Sequence, residues 1–365
     1  MADARLLVTG FPGFIGRRLV RALADADTGA RITCLVEARM EDDARRAAAE
    51  IDPERVEVLS GDITDRRLGL ADDDYERLAA EATAVHHLAA LYDLAVPLEV
   101  AQRVNVDGTG NVLELCLRCE RLERFVYVST AYVAGTRRGV VYEHELALGQ
   151  GFKNHYESTK FQAEVWVRQY TDRIPTTIIR PAIVVGDSAT GETQKFDGPF
   201  YMLRMLQTAQ RQGGPIPQIG RSRAPFNVVP VDFVIDAMRA AEGDPEAAGR
   251  TLHLVDPDPI SSREVLTLLA REYAGREPSV RVPSKLVETS VKLGPVRRMY
   301  GGVPSESLRY LNHPVRFDTR QAGDLLARHG LGCPRFEEYV GPMVRFFRQH
   351  EDDPAYVSDP RRLRG

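Results

Sequence analysis

Thr9-Gly10-Phe11-Pro12-Gly13-Phe14-Ile15-Gly16 follows a short apolar run at 6–8 and opens a stretch with helical spacing at Ile15, Leu19, Val20 and Leu23. The glycines are spaced G-x-x-G-x-x-G. A strand that turns into a helix through such a loop brings helix N–H groups and the positive end of the helix dipole to one point. Gly10 permits the tight turn, Gly13 the close approach of backbone to a pyrophosphate, and Gly16 close packing of helix on strand. Gly10, Phe11, Gly13, Phe14, Ile15 and Gly16 are therefore expected to contact a dinucleotide.

Working outward, further strands are predicted at 32–36, 56–59, 84–88, 125–129 and 176–179, with helical patterns between them. Strands alternating with helices imply βαβ units and a parallel sheet covered on both faces. The expected fold is α/β, a Rossmann-like doubly wound parallel sheet. The alternation weakens after 186. Residues 187–225 are rich in Gly, Pro, Gln and Arg around a helix at 200–210. Strands return at 226–231 and 251–255, separated by a helix at 232–241. Helices are then predicted at 263–274, 285–293 and 336–350. The expected organisation is a dinucleotide-binding unit over 1–187 plus about 226–256, a smaller and mostly helical C-terminal substrate lobe over about 188–225 plus 257–350, and a poorly ordered tail at 351–365.

A chain of 365 residues with 27% charged and 43% hydrophobic side chains is ordinary for a globular protein, which excludes disordered and disulfide-scaffold classes. The net charge of −4 gives no footing for nucleic-acid binding. Only five of the 48 basic residues are lysine, so a lysine within a motif stands out. Cys116-x-x-Cys119 lies in a helical run with no second pair or nearby His, so it reads as helix packing and no metal is expected. No signal peptide and no run of about 18 apolar residues is read, which predicts no membrane span and a cytoplasmic location. Residues 285–300 mix basic and apolar side chains and are read as a solvated amphipathic helix.

The second strand ends at Val36, and Glu37 follows it 21 residues after Gly16. A carboxylate there accepts from ribose hydroxyls and repels a 2′-phosphate, which favours NAD(H) over NADP(H). Arg39, two residues on, is the group that would reach a phosphate instead. Asp62 and Ile63 follow the third strand, where a carboxylate can accept from the adenine amino group and an aliphatic side chain can cover the ring. Ala89 and Ala90 close the fourth strand and let a cofactor lie against the backbone. His87 before them is read as structural.

Tyr156-Glu157-Ser158-Thr159-Lys160 begins another helical pattern, and its i, i+4 spacing puts Tyr156 and Lys160 on one face. An ordinary tyrosine, with a pKa near 10, transfers protons poorly at neutral pH, and a neighbouring ammonium lowers that value. Such a tyrosine can protonate a carbonyl being reduced. Alone, Y-x-x-x-K is common by chance. Here the strand at 125–129 ends in Ser129-Thr130, 26 residues before Tyr156. A hydroxyl at the carboxyl edge of a parallel sheet can donate to an oxygen on which charge develops.

As a set, the glycine loop, Asp62, His87-Leu88-Ala89-Ala90, Asn105-Val106-Asp107-Gly108-Thr109, Ser129-Thr130, Tyr156…Lys160 and Arg180-Pro181 resemble the extended short-chain dehydrogenase/reductases over about residues 4–255. The resemblance implies a hydroxyl–Tyr–Lys triad with Thr130 at the hydroxyl position and Ser129 beside it. It makes Asn105 a support for the helix behind the site, and it places Pro181, Ile183 and Val184 near a nicotinamide. The run from Arg180 to Glu192 is similar to the acyl-thioester branch, the fatty acyl-CoA reductases and the terminal domains of carboxylic acid reductases. That branch carries Arg where Glu37 stands, and this chain departs from it there.

The resulting expectation is a nicotinamide-dependent reductase acting on a carbonyl, with an acyl-CoA or acyl-carrier thioester as preferred substrate and aldehyde as product. No adenylation or carrier domain is read, so the thioester is expected to arrive ready-made. Alternatives are a ketone or secondary-alcohol oxidoreductase of the hydroxysteroid or dihydroflavonol type, then a nucleotide-sugar epimerase or dehydratase, then a non-catalytic redox sensor. A homodimer is an expectation from relatives that pair through helices flanking the tyrosine helix.

Overall fold

The computed structural model describes residues 4–92, 96–220, 223–283, 287 and 307–356. The first strands are β1 (Arg5–Thr9), β2 (Arg31–Val36), β3 (Val56–Ser60), β4 (Ala84–His87) and β5 (Arg124–Val128). They are followed by β6 (Gly139–Val141), β7 (Thr176–Pro181), β8 (Ile183–Val185), β9 (Pro217–Ile219), β10 (Val228–Pro230), β11 (Thr251–Leu254), β12 (Val280–Val282) and β13 (Val315–Phe317). Seven of these form one parallel sheet in the order β3-β2-β1-β4-β5-β7-β11. The order reverses between β1 and β4, and the crevice at the carboxyl ends of those strands is where doubly wound sheets bind ligands.

The strands are continuous apolar runs because helices cover both faces. On one face, α1 (Phe14–Ala26), α2 (Glu41–Ile51) and α8 (Val231–Gly243) bury Leu19, Val20, Ala44, Val234 and Met238 against Val8, Ile32 and Val126. On the other, α3 (Asp72–Glu81), α5 (Gly108–Arg118) and α6 (His155–Gln169) bury Tyr75, Leu78, Val112, Leu115, Ala163 and Val167 against Leu7, Val85 and Phe125. A short α4 (Leu98–Gln102) runs through a π turn (Arg103–Asp107) into α5. A third cluster joins α7 (Phe200–Arg211), α9 (Ser262–Ala274) and α11 (Phe336–His350) through Phe196, Leu203, Leu269, Tyr339 and Phe347.

The chain parts from the sequence reading in three places. The strand expected at 226–231 stays out of the large sheet, and β10 pairs with β8 instead. Residues 320–328, expected in the lobe, form α10 (Arg320–Arg328), whose Ala322, Leu325 and Leu326 belong to the sheet core. The buried Glu143 carboxylate explains this, since it accepts from Gln321 N at 2.6 Å and Ala322 N at 3.0 Å and anchors the helix start beside β11. The start of the expected tail is packed: Tyr356 stacks on Phe196, and its carbonyl accepts from Phe196 N at 3.0 Å. The remaining tail, and all of the helix expected at 285–293 except Val287, lie outside the described residues. Among the described residues no helix is long and apolar enough to cross a membrane.

Candidate functional site

The glycine loop is set by backbone crowding. Gly10 adopts φ +88°, and a Cβ there would stand 2.8 Å from Ala89 N, so β1 and β4 can close on each other only with glycine in this place. A Cβ at Gly16 would stand 2.4 Å from Gly10 O. Gly13 is the N-cap of α1, and with no side chain it leaves the first-turn N–H groups directed at the crevice. These are the features a pyrophosphate needs, so the loop fits a dinucleotide. Phe14 and Ile15 are the first residues of α1, and Phe11 is buried beneath the loop.

A chain of hydrogen bonds crosses beneath the loop. Ala89 N donates to Thr9 Oγ1 at 3.2 Å, and the Thr9 hydroxyl lies 2.7 Å from His87 Nδ1. His87 Nε2 meets Thr109 Oγ1 at 3.0 Å, and that hydroxyl donates to Asn105 O at 2.7 Å. The last carbonyl can only accept, so the network assigns one direction: Thr9 donates to Nδ1, and His87 donates from Nε2. Burial holds His87 neutral, with its pKa pulled down to about 3. His87 is thus a structural strut.

At the end of β2, Glu37 Oε1 meets Arg39 Nε at 2.9 Å, with both side chains about half exposed. Asp62 spends Oδ1 on Thr64 N at 2.8 Å, which shapes the turn after β3. Ile63 packs against Gly108, where a Cβ would stand 2.8 Å from Ile63 Cδ1, and its carbonyl accepts from Asn111 Nδ2 at 2.7 Å. Ala89 and Ala90 continue the crevice beyond β4.

Tyr156 lies in the first turn of α6, whose N-cap Asn154 accepts from Glu157 N at 2.9 Å. Thr130, just past the end of β5, accepts from Tyr132 N at 3.2 Å and donates to Pro181 O at 3.5 Å. Burial pushes the Tyr156 phenol up from its ordinary value, the Glu157 carboxylate adds to this, and Thr130 works against it. Lys160 is 2% exposed and donates to Val128 O at 2.7 Å. Burial draws its pKa down to about 7, and the Glu164 carboxylate opposes that. The Tyr92 ring meets the Tyr156 ring edge-on at 5.0 Å.

Ser129 is placed differently from Thr130: its hydroxyl donates to Glu164 at 2.6 Å. Asn105 sits in the π turn, donates from Nδ2 to Thr159 Oγ1 at 3.0 Å and accepts from Leu91 N at 2.7 Å. It therefore braces α6 from behind. Pro181 ends β7, and Ile183 and Val184 follow in β8. The sequence reading did not reach Glu164, Glu143 or His253, all fully buried around Arg180. The signal for Glu164 was present, because 156, 160 and 164 share one helix face. Among the described residues no group of three or more His, Cys, Asp or Glu could hold a metal. Cys116 is buried and Cys119 is half-buried at the end of α5, and neither is in a disulfide.

A doubly wound sheet with this loop, and with Thr, Tyr and Lys gathered at its carboxyl edge, defines an NAD(P)-dependent oxidoreductase of the extended short-chain dehydrogenase/reductase type. Residues 8–238 match the family described as Male sterility protein, with its NAD-binding domain, and the chain belongs to that family. It is 28% identical over 392 residues to the aldehyde reductase lnaA of Aspergillus flavus, covering 96% of this chain and 37% of that protein. The chain thus spans little more than a third of that relative's length. The crystal structure of the terminal R domain from the myxalamid PKS-NRPS biosynthetic pathway superposes with a TM-score of 0.82 at 26% identity, covering 97% of this chain and 93% of that one. UDP-glucuronic acid 4-epimerase from Bacillus cereus, solved with NAD, shares the fold at a TM-score of 0.67 and 18% identity, covering 96% and 99%.

Proposed function

We propose that this chain reduces an acyl group held as a thioester, on CoA or on a carrier, to the aldehyde. The observation that carries the reading is the meeting of Thr130, Tyr156 and Lys160 at the sheet edge that also presents the glycine loop. The likeness to a terminal R domain supports the thioester, and the relative named an aldehyde reductase supports the product.

A nicotinamide bound in the crevice supplies the hydride. Gly10, Gly13 and Gly16 with the start of α1 would hold its pyrophosphate. Asp62 and Ile63 would take the adenine, and Ala89, Ala90, Pro181, Ile183 and Val184 would line the nicotinamide end. Lys160 would donate to the ribose. Thr130 and Tyr156 hydrogen-bond the carbonyl oxygen as charge develops on it, and Tyr156 gives that oxygen its proton. The product of that addition is a hemithioacetal. Its carbon–sulfur bond then breaks, with the sulfur leaving as thiolate and the oxygen losing its proton, to give aldehyde and thiol. Glu37 favours NAD(H), because its carboxylate pairs with Arg39 and leaves that guanidinium less able to hold a 2′-phosphate. The nucleotide unit comprises the described residues of 1–187, those of 226–256 and, by their packing, 315–328, with the remaining described residues forming the substrate lobe.

The test follows NADH and NADPH oxidation against acyl-CoAs from C4 to C16, cyclic ketones and aldehydes, with product identification. Aldehyde and free CoA from acyl-CoA establish the reading. Turnover of cyclic ketones with acyl-CoAs inert would replace it by a secondary-alcohol oxidoreductase.

A further inference from the structure

Behind the triad lies a buried polar hub that no step above uses. Glu164 is fully buried on α6, one turn beyond Lys160. Its Oε2 accepts from Ser129 Oγ at 2.6 Å and from Arg180 Nε at 3.0 Å, and its Oε1 from Arg180 Nη2 at 2.6 Å and Arg168 Nε at 3.0 Å. The remaining Arg180 contacts are the Glu143 and Glu145 carbonyls, at 3.3 and 2.8 Å, and His253 Nε2 at 3.1 Å. One carboxylate therefore ties together the residue before Thr130, the residue before Pro181 and the helix that carries Tyr156 and Lys160.

A buried ion pair made only for stability is a poor investment against apolar packing, so its retention here asks for another role. The geometry points to Glu164 as a positioning residue for the reduction: it holds Ser129, next to Thr130, and through Arg180 it ties β7 to the helix that carries Tyr156 and Lys160. Arg168 and Arg180 pair with this carboxylate directly, and its charge opposes the burial that draws down Lys160, one turn away on the same helix. The groups facing Lys160 are Glu164 and Tyr156 on its own helix, Tyr127 on β5, whose ring lies 4.4 Å from Nζ, and His87 on β4. Among these, Glu164 alone carries negative charge at neutral pH. This inference rests on the reductase reading, but one of its readouts needs no substrate.

Five lysines make the protein suited to NMR with lysine labelled at Cε. The Lys160 signal is assigned by its loss in Lys160→Arg. In the full chain it should titrate near 7. In Glu164→Gln the midpoint should fall by about one unit or more. An unmoved midpoint in folded Glu164→Gln overturns the charge role. Turnover of octanoyl-CoA and of octanal gives the second readout. Ser129→Ala removes one oxygen and keeps the ion pairs, so it serves where Glu164→Gln does not fold. It should lower kcat by up to about 100-fold with KM little changed, the cost of a misplaced catalytic group. The double variant should be no slower than Glu164→Gln alone, because both act through one hydrogen bond. Undiminished kcat in Ser129→Ala, or multiplied losses in the double variant, overturns the positioning role. If Tyr156→Phe also leaves turnover intact, the reductase reading itself fails. If only Tyr156→Phe abolishes it, the failure belongs to Glu164 alone.

Discussion

The Lys160 ammonium donates to the Val128 carbonyl at 2.7 Å, which pins the middle of α6 to the last residue of β5. Thr130 lies two residues beyond that anchor, and Tyr156 lies one helical turn before Lys160 on the same face. A single hydrogen bond thus sets where Tyr156, the proposed proton donor, lies relative to Thr130, proposed to assist it. Asn105 and Thr159 hold the same helix from the other side at 3.0 Å.

This arrangement makes Tyr156→Phe the sharpest test of the site. The ring and its edge contact with Tyr92 survive, and only the phenolic hydroxyl is removed. We expect kcat to fall by about 10²–10⁴, the usual worth of a positioned acid. The NADH dissociation constant, read from NADH fluorescence, should stay within a few-fold of wild type. Near-normal turnover would remove Tyr156 from the mechanism.

Glu37 tests the choice of cofactor. Replacing its carboxylate by arginine removes the acceptor for a ribose hydroxyl and frees Arg39 from its ion pair. In Glu37→Arg we expect the KM for NADH to rise and that for NADPH to fall, shifting the ratio by about tenfold or more, which is about 1.4 kcal/mol. Unchanged KM values for both cofactors would show that Glu37 is a solvated loop acid.

What the sequence made legible follows from distance along the chain. The glycine loop and the Tyr156–Lys160 pair are local patterns, and the strand-helix alternation that orders them is local as well. Arg180 was visible as part of a motif, but its partners Glu143, Glu164 and His253 were not, because they stand 37, 16 and 73 residues away. Such a hub exists only once β7, α6 and β11 are side by side. The residues alone gave two adjacent hydroxyls, and it was the resemblance that put Thr130 at the hydroxyl position; that Ser129 is instead committed to Glu164 shows only in the fold. The place of 320–328 depended on Glu143, 178 residues from its partner Gln321.

Gly16 and Gly323 should respond to alanine with opposite signs. Both are helical, and alanine gains up to about 1 kcal/mol of propensity in each. At Gly323 in α10 nothing lies within 4 Å of the new Cβ, so Gly323→Ala should raise the urea midpoint. At Gly16 the Cβ meets backbone, Gly10 O at 2.4 Å and Gly10 C at 2.9 Å, which cannot swing aside. We expect overpacking of about 1–3 kcal/mol to outweigh the propensity gain, lowering the midpoint. Nucleotide affinity should fall with it. A Gly16→Ala protein as stable as Gly323→Ala would mean that the loop is not closed on α1 as described.

Acid should destabilise the fold through His253 and His87. His253 Nδ1 donates to Asp318 O at 2.7 Å, so Nε2 is the acceptor from Arg180 Nη1 at 3.1 Å. A second ring proton would point at a guanidinium. Burial, then Arg180, pull the His253 pKa down to about 3, and burial does the same for His87. Below 6.5 the unfolded chain binds a proton at each histidine that the folded chain refuses. Their stabilisation is therefore complete above pH 6.5 and is lost as pH falls toward 3. Each histidine costs up to about 1.4 kcal/mol per pH unit within that window. Urea midpoints measured from pH 7.5 to 5 should fall below 6.5, before most carboxylates titrate. Burial draws His313 down as well, to about 4, so His253→Gln, which keeps a donor and an acceptor, should remove about a third of that slope. An equal slope in the variant would show that His253 is protonated in the folded protein.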